Sequence, residues 1–523
     1  MTARPPSRGT RRARAWSEAP IIRLFTFGQS RPLGLLVLLA VFATVALHPG
    51  WSPANTLRYW LFDSYQQVFP RVRSADAASA IVVAIDEDSL AQFGQWPWPH
   101  TLLARMLEQI GNANPKAIGI DLLLPDSDRQ SVRLSSSSSD SRPQLRHQLA
   151  ALPGSDAALA EVIARLPVVI AVAGLAEARA ARTVVRSAPV LVQGGDFDPY
   201  VRHFTDALSS LDAIARTARG HGLINTDAPD GVVRRPLMVA SVAGILLPSL
   251  SLDLLRVAAG ADHFRLIIGR RGVHSMGYLD RQYPANADGT LWLHFGASDT
   301  SRVVSASQVL EGRIDASRFA GKIVLIGVTG LGLQDYQTTP LHTRMAGVEI
   351  HAQMVDNMVD GHFLRRPVAM LAIECVLLAV CSVALIVILP GWRPAASTGI
   401  FVAIVVVLVA SGYLLFELQQ LLLDAMLPAL GTSLVFGVLI TGNLANADSQ
   451  RRQLRRQLKD QRAVTERMTG ELEAARRIQL DMLPPPSSAA MGDPRFTLHA
   501  LMAPARDVSG DLYDFFKLDA DRL

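Results

Sequence analysis

The sequence predicts an extracytoplasmic α/β domain, with a mixed, largely parallel sheet and flanking helices, carried by four transmembrane α-helices and continued by a cytosolic helical linker. Three observations predict it. Four long apolar blocks stand apart from the rest of the 523 residues. Between the first and second blocks, short β-branched runs alternate with amphipathic stretches. Arginines crowd the start of the chain and the stretch that follows the last block. The composition agrees: 49% of the residues are hydrophobic, and only 19% are charged, less than a soluble chain of this size usually carries.

Residues 1–31 form a basic N-terminus, with Arg4, Arg8, Arg11, Arg12, Arg14, Arg23 and Arg31 against a single acid, Glu18. That bias keeps the segment in the cytosol. The first apolar block, 32–49, lacks charge and is close to the lower limit for a span, roughly 17 residues. A cleaved signal peptide is the rival reading. It lacks a clear A-x-A site here, and the lead before the apolar core is long for one.

The other spans are expected at 368–389, 397–418 and 422–445. Short connections make them antiparallel neighbours. Arg451, Arg452, Arg455 and Arg456 follow the last one, so four spans leave both termini in the cytosol and residues 50–366 outside it. Arg365 and Arg366 then sit on the side that the charge rule disfavours. The two cysteines, Cys375 and Cys381, both fall in the second span, where cysteine is usually a small packing residue. The exported region contains none and has enough residues for a core without disulfides. Glu374 also lies inside the second span. An ionisable group there is a functional candidate by default, although snorkelling or a bond to a neighbouring helix is the reading favoured here.

In the exported region, strands are expected at Ile81 to Asp86, Ala117 to Leu124, Val168 to Ala173 and Lys322 to Val328, with further strand patterns in GVVRRPLMVA and LWLHF. Helices are expected over Pro99 to Gly111, Leu250 to Val257 and Gly347 to Val359. The serine run Ser135 to Ser139 reads as a surface insertion without chemistry.

Several motifs in order resemble the CHASE type 2 sensor domains of bacterial receptors. They are Asp86-Glu-Asp-Ser-Leu, Gly94-Gln-Trp-Pro-Trp-Pro-His100, IGIDLLLPD from Ile118, DGVVRRPLMV from Asp230, PSLSLDLL from Pro248, GKIVLIGVTGLGLQDYQTTPL from Gly321 and MAGVEIHAQMVDNMVDG from Met345. They cover most of residues 55–365, and three spans directly after the domain fit the same resemblance. Within these motifs, Asp86 and Asp121 end strands, where open α/β sheets place binding groups. Asp335 follows the turn at Gly330 and Gly332, and His351 lies near a helix start. Two readings stand: a convergent sensor pocket of Asp86, Asp121, Asp335 and His351, or capping acids and turn glycines. The structural reading is favoured, as is a rigid packed turn for WPWP. Two glycines without a following GKS or GKT make a weak phosphate loop. No catalytic signature marks the exported region.

The tail begins with a charged helix, 448–483. Leu454, Leu458, Met468, Leu472, Ala475 and Met482 form a heptad-like stripe interrupted by Gln461, Thr465 and Gln479. This suits a parallel homodimer; a single solvated helix is the other reading. Pro484 to Pro486 end it. In residues 484–523, ARRIQLDMLPPP followed by PARDVSGDLYDFF resembles the start of SpoIIE-like serine phosphatases, α/β domains of the metal-dependent PPM type. The resemblance implies a hard Mn²⁺ or Mg²⁺ ion at Asp511, the aspartate of the G-D-x-Y-D motif, with Asp514 as a supporting acid. The sequence runs only to Leu523, and the family's later Asp-Gly pair and further acidic ligands are not in it. One carboxylate does not hold a two-metal site. The 523 residues alone, whether a truncated record or a fragment, are therefore expected to show no phosphatase activity.

The expectation is a multi-pass receptor of the bacterial inner membrane that senses an envelope signal. Its intact form would be a protein serine/threonine phosphatase acting on a phosphorylated cytosolic regulator, such as an anti-sigma-factor antagonist. The alternatives are a sensor or scaffold without catalytic output, or a receptor with a cyclase or kinase output, for which the tail shows no motif. The net charge of +5 reflects arginines at the membrane edges, where anionic lipid is the partner. No aromatic-interleaved basic groove suggests nucleic acid.

Overall fold

The computed structural model describes residues 30–48, 52–72, 79–128, 154–178, 184–330, 336–389, 392–484, 513–515 and 518. The chain divides into two compact units. One comprises Met1–Leu39, Val383–Phe401 and Ser433–Leu523; the other comprises Ala40–Ser382 and Val402–Thr432.

The second unit holds the α/β domain. Its central sheet is built from β1 (Ala80–Ile85), β2 (Ala117–Asp121), β3 (Val168–Leu175), β4 (Asp206–Ser209), β5 (Gly220–Leu223), β6 (Val303–Ser305) and β7 (Ile323–Val328). The parallel ladder runs β6-β1-β7-β2-β3, with β5 also parallel to β3, and β4 antiparallel at the far end of β3. All six residues of β1 are buried, which is why the run reads as continuous β-branched and small residues with no polar alternation. Two cores result. Ile81, Val83 and Ile85 pack with α4 (His100–Gly111) and α5 (Ser155–Arg165), whose apolar residues recur at helical spacing. Ala80 and Val82 face the opposite core with α6 (Leu250–Ala258) and α7 (Gly347–Asp360). Glycine in the strands sets how closely these helices approach. A Cβ at Gly327 would collide with Val348 of α7, and one at Gly222 would collide with the backbone of Leu250 in α6.

Two smaller sheets extend the same unit. One orders Arg281–Pro284, Gly272–Tyr278, Phe264–Gly269 and Val190–Gln193; the other orders Ile245–Pro248, Val239–Val242 and Arg202–Phe204. LWLHF, expected as a strand, is extended but outside any sheet. Its backbone takes alternate bonds, from Leu291 to Pro236 and from Leu293 to Arg234, while Phe295 accepts from Arg71. The WPWP segment is a packed turn: Trp98 is buried, donates to the Gly94 carbonyl at 2.8 Å and meets Phe93 edge-on. The serine run lies outside the described residues.

Among the described residues, four helices are long and apolar enough to cross a membrane: α1 (Ser30–Leu47), α8 (Ala369–Ile388), α9 (Pro394–Gln419) and α10 (Met426–Asp481). The fourth span and the linker were expected as two elements, 422–445 and 448–483. They form one uninterrupted helix, since nothing between Ala445 and Asp448 breaks it. A further helix, α2 (Ser52–Val68), follows α1 and went unread in the sequence. In the first unit, α1 and α10 approach closely through small residues, with Gly34 against Leu439 and Gly442 against Ser30.

Candidate sensing and coupling site

Parallel strands β1 and β2 carry Asp86 and Asp121 to one edge of the sheet, on either side of β7, where Ile85 pairs with Val328 and Asp121 with Gly327. Two strand spacings separate them, about 10 Å. Asp86 is the N-cap of α3 (Glu87–Phe93). Its carboxylate accepts from Ser89 N at 3.0 Å, from Ser89 Oγ at 2.5 Å and from Ser305 Oγ at 2.8 Å. The side chain is thus spent on joining α3 to the end of β6. Asp121 differs. Its side chain makes no hydrogen bond or ion pair among the described residues, and burial pushes its carboxyl up to about 7. Beside them the chain leaving β7 returns Thr329 and Gly330 N–H groups to the Ile85 carbonyl, and Tyr336 Oη donates to the Thr329 carbonyl at 2.8 Å.

His351 is not brought to this edge. It is buried in α7, with Nδ1 3.0 Å from Ser251 Oγ, and ties α7 to α6. Asp335 lies outside the described residues, so the four expected pocket residues resolve into a capping acid, an unbonded acid at the same edge and a histidine between helices.

A second constellation was only partly anticipated. Glu374 in α8 is fully buried and receives Arg366 in a bidentate pair at 2.7 and 2.9 Å. The charge of Arg366 is met by a carboxylate within the same unit. Arg366 also stacks over Phe62 at 5.4 Å and donates to the Leu422 carbonyl at 3.0 Å. Helix α2 supplies the rest. On one side Asp63 takes Arg234 of the α/β domain through two bonds of 2.7 Å, and Arg234 lies over Tyr59 at 4.8 Å. Phe62 meets Trp292 edge-on at 5.6 Å, and Gln66 accepts from Phe295 N at 2.9 Å. On the other side Arg58 bonds Asp424 at 2.7 Å, Tyr65 Oη donates to the Leu423 carbonyl at 2.9 Å, and Ser64 meets Tyr413 Oη at 2.9 Å.

A model of the CHASE2 domain matches residues 36–389, which includes the α/β domain, α2, all of α8 and most of α1. The chain belongs to the CHASE2 family. Comparisons with curated proteins and with solved structures give no match. A CHASE2 sensor domain joined to helices of membrane-spanning length makes this chain a transmembrane sensor receptor. The residues that bind α2 to the CHASE2 core were hidden in the sequence, because Asp63 and Arg234 are 171 positions apart. Glu374 itself was visible in the sequence as an ionisable residue inside an apolar block.

Proposed function

We propose that this receptor sits in the bacterial inner membrane with both termini in the cytosol, senses an envelope signal outside it, and belongs to a protein whose output is a SpoIIE-like serine/threonine phosphatase. The observation that carries the reading is the CHASE2 domain held between apolar helices, the last of which runs unbroken into the segment leading to the G-D-x-Y-D motif. The arginines at Arg451, Arg452, Arg455 and Arg456 suit a cytosolic face and anionic lipid. Leu454, Leu458, Met468 and Leu472 are exposed on α10, at positions that keep one heptad register with Gln461, Thr465, Ala475, Gln479 and Met482. A second copy packed in parallel would cover that seam.

The output would act on a phosphorylated cytosolic regulator, with an anti-sigma-factor antagonist as the candidate class. Asp511 is outside the described residues. Asp514 is exposed and accepts from Phe515 N at 2.8 Å, and among the described residues no group of three His, Cys, Asp or Glu side chains is placed to hold a metal ion.

The test is to read the gene beyond codon 523 and assay its product with Mn²⁺ on a phosphoserine peptide. A downstream Asp-Gly motif, with hydrolysis abolished by Asp511→Ala, is expected. A stop codon after Leu523, or hydrolysis indifferent to Asp511, would overturn the phosphatase output and leave a sensor or scaffold.

A further inference from the structure

The segment between α9 and α10 is gripped residue by residue. Arg366 Nη1 donates to the Leu422 carbonyl at 3.0 Å, and Tyr65 Oη donates to the Leu423 carbonyl at 2.9 Å. Asp424 is held twice: its backbone N–H donates to Glu374 Oε1 at 2.8 Å, and its Oδ2 accepts from Arg58 Nε at 2.7 Å. The remaining oxygen, Oδ1, accepts from Met426 N at 3.1 Å and from Leu427 N at 3.3 Å. These are first-turn amides of α10, which have no intrahelical acceptor of their own. One buried carboxylate thus caps the helix that leads toward the tail and also holds the helix that leans on the sensor.

Helix α2 is the other half of the arrangement. Five residues after Arg58, Asp63 holds Arg234 of the CHASE2 core, with Phe62 against Trp292 and Gln66 on Phe295 N. Arg58 is steadied by Asn55 Oδ1 at 3.0 Å. A shift of the CHASE2 core relative to α2 therefore draws on Arg58, and Arg58 draws on the cap of α10. A rigid short helix transmits displacement, and a shared carboxylate cannot keep ideal geometry to both partners when one of them moves.

We propose that Asp424 is a positioning residue that couples the sensor to the output helix, with the Arg58–Asp424 pair as the joint through which movement of the CHASE2 core loosens or tightens the first turn of α10. The idea rests on the receptor reading for its biological use. The measurement below reads neither sidedness nor phosphatase activity, so either can fail alone.

The experiment is hydrogen–deuterium exchange on the full chain in phospholipid nanodiscs, following peptides that contain Met426 and Leu427. Asp63→Asn perturbs the sensor end without touching Asp424. It is expected to accelerate exchange at those amides by about fivefold, the low end of an ordinary coupling between sites. In an Asp424→Asn background, where the amide oxygen can still cap α10 but the ion pair to Arg58 is lost, the same substitution is expected to change nothing there. Trp292→Phe gives a second perturbation from the same side if Asp63→Asn does not fold, and protection of β1 and β7 reports folding. Unchanged exchange at Met426 and Leu427 on perturbing the sensor end would overturn the proposal. So would a change of equal size that persists in Asp424→Asn.

Discussion

Asp121 and Asp86 end parallel strands on either side of β7, yet chemistry separates them. Asp86 is satisfied by the N–H and hydroxyl groups of Ser89 and the hydroxyl of Ser305. Asp121 is half-buried, its side chain has no partner among the described residues, and its carboxyl is pushed up to about 7. An acid raised in the fold favours the protonated form, so its penalty is absent below the ordinary carboxylate range, near 4. The penalty grows as pH rises through 7 and is constant beyond it. Asp121→Asn is therefore expected to raise the unfolding midpoint at pH 8 and to leave it nearly unchanged at pH 4. Because the residue retains some contact with water, the gain should be on the order of 1–2 kcal/mol. Thermal scans of both proteins across that range check it; equal midpoints at pH 8 would remove Asp121 as the strained acid of the sheet edge. Glu374 is the opposite case, a buried carboxylate with a bidentate partner. Arg366→Ala strands that carboxylate and should cost about 3–5 kcal/mol, whereas removing both charges should cost less than either single change. A double-mutant cycle on thermal stability measures it, and additive single losses would contradict the pairing. The sequence made Glu374 visible as an ionisable residue in an apolar block; it did not make Arg366 visible as its partner, because no pattern relates an arginine before a span to an acid within it.

At the scale of elements, the strands and helices of the α/β domain were legible wherever burial imposes a period. β1, β2, β3 and β7 carry runs of β-branched and small residues, and α4, α6 and α7 carry apolar faces, so each is found close to where the pattern places it. Helix α2 escaped because its buried face mixes Phe62 and Tyr65 with Asp63 and Gln66, and polar residues paired at long range look like solvated ones in sequence. LWLHF misled for the converse reason. It is apolar like a strand, but its backbone bonds go to Arg234, Pro236 and Arg71, and it joins no sheet. The change from apolar to charged composition at Ala445 to Asp448 does not end a helix, so α10 runs through it. The exposed stripe on that helix yields a prediction at this scale. Leu458→Cys in a chain without Cys375 and Cys381 should form a disulfide-linked dimer under mild oxidation, and a cysteine replacing Arg456 on the outer face should not. Analysis by non-reducing gel decides it, with equal cross-linking at both positions arguing against a parallel seam.

For the whole molecule, the CHASE2 match and the four apolar helices define a membrane-anchored sensor. The order of these parts was legible in the sequence because apolar blocks of bilayer length have few other uses. The four expected pocket residues were less legible. Strand ends attract both ligand-binding groups and caps, and only the fold distinguishes Asp86 as a cap from Asp121, whose side chain is unbonded among the described residues. The joint between sensor and helices was not legible at all, since Arg58, Asp63, Arg234 and Asp424 meet only through the fold. In the proposed topology the CHASE2 domain and the arginine-rich part of α10 lie on opposite sides of a membrane. Cys375 and Cys381 are the only native cysteines, so a chain with both replaced by alanine accepts single reporters at two exposed positions, Asp280→Cys and Ser449→Cys. Spheroplasts treated with a membrane-impermeant maleimide should label Asp280→Cys at once and Ser449→Cys only after lysis. Labelling of Ser449→Cys in sealed spheroplasts, with Asp280→Cys protected, would rule that topology out.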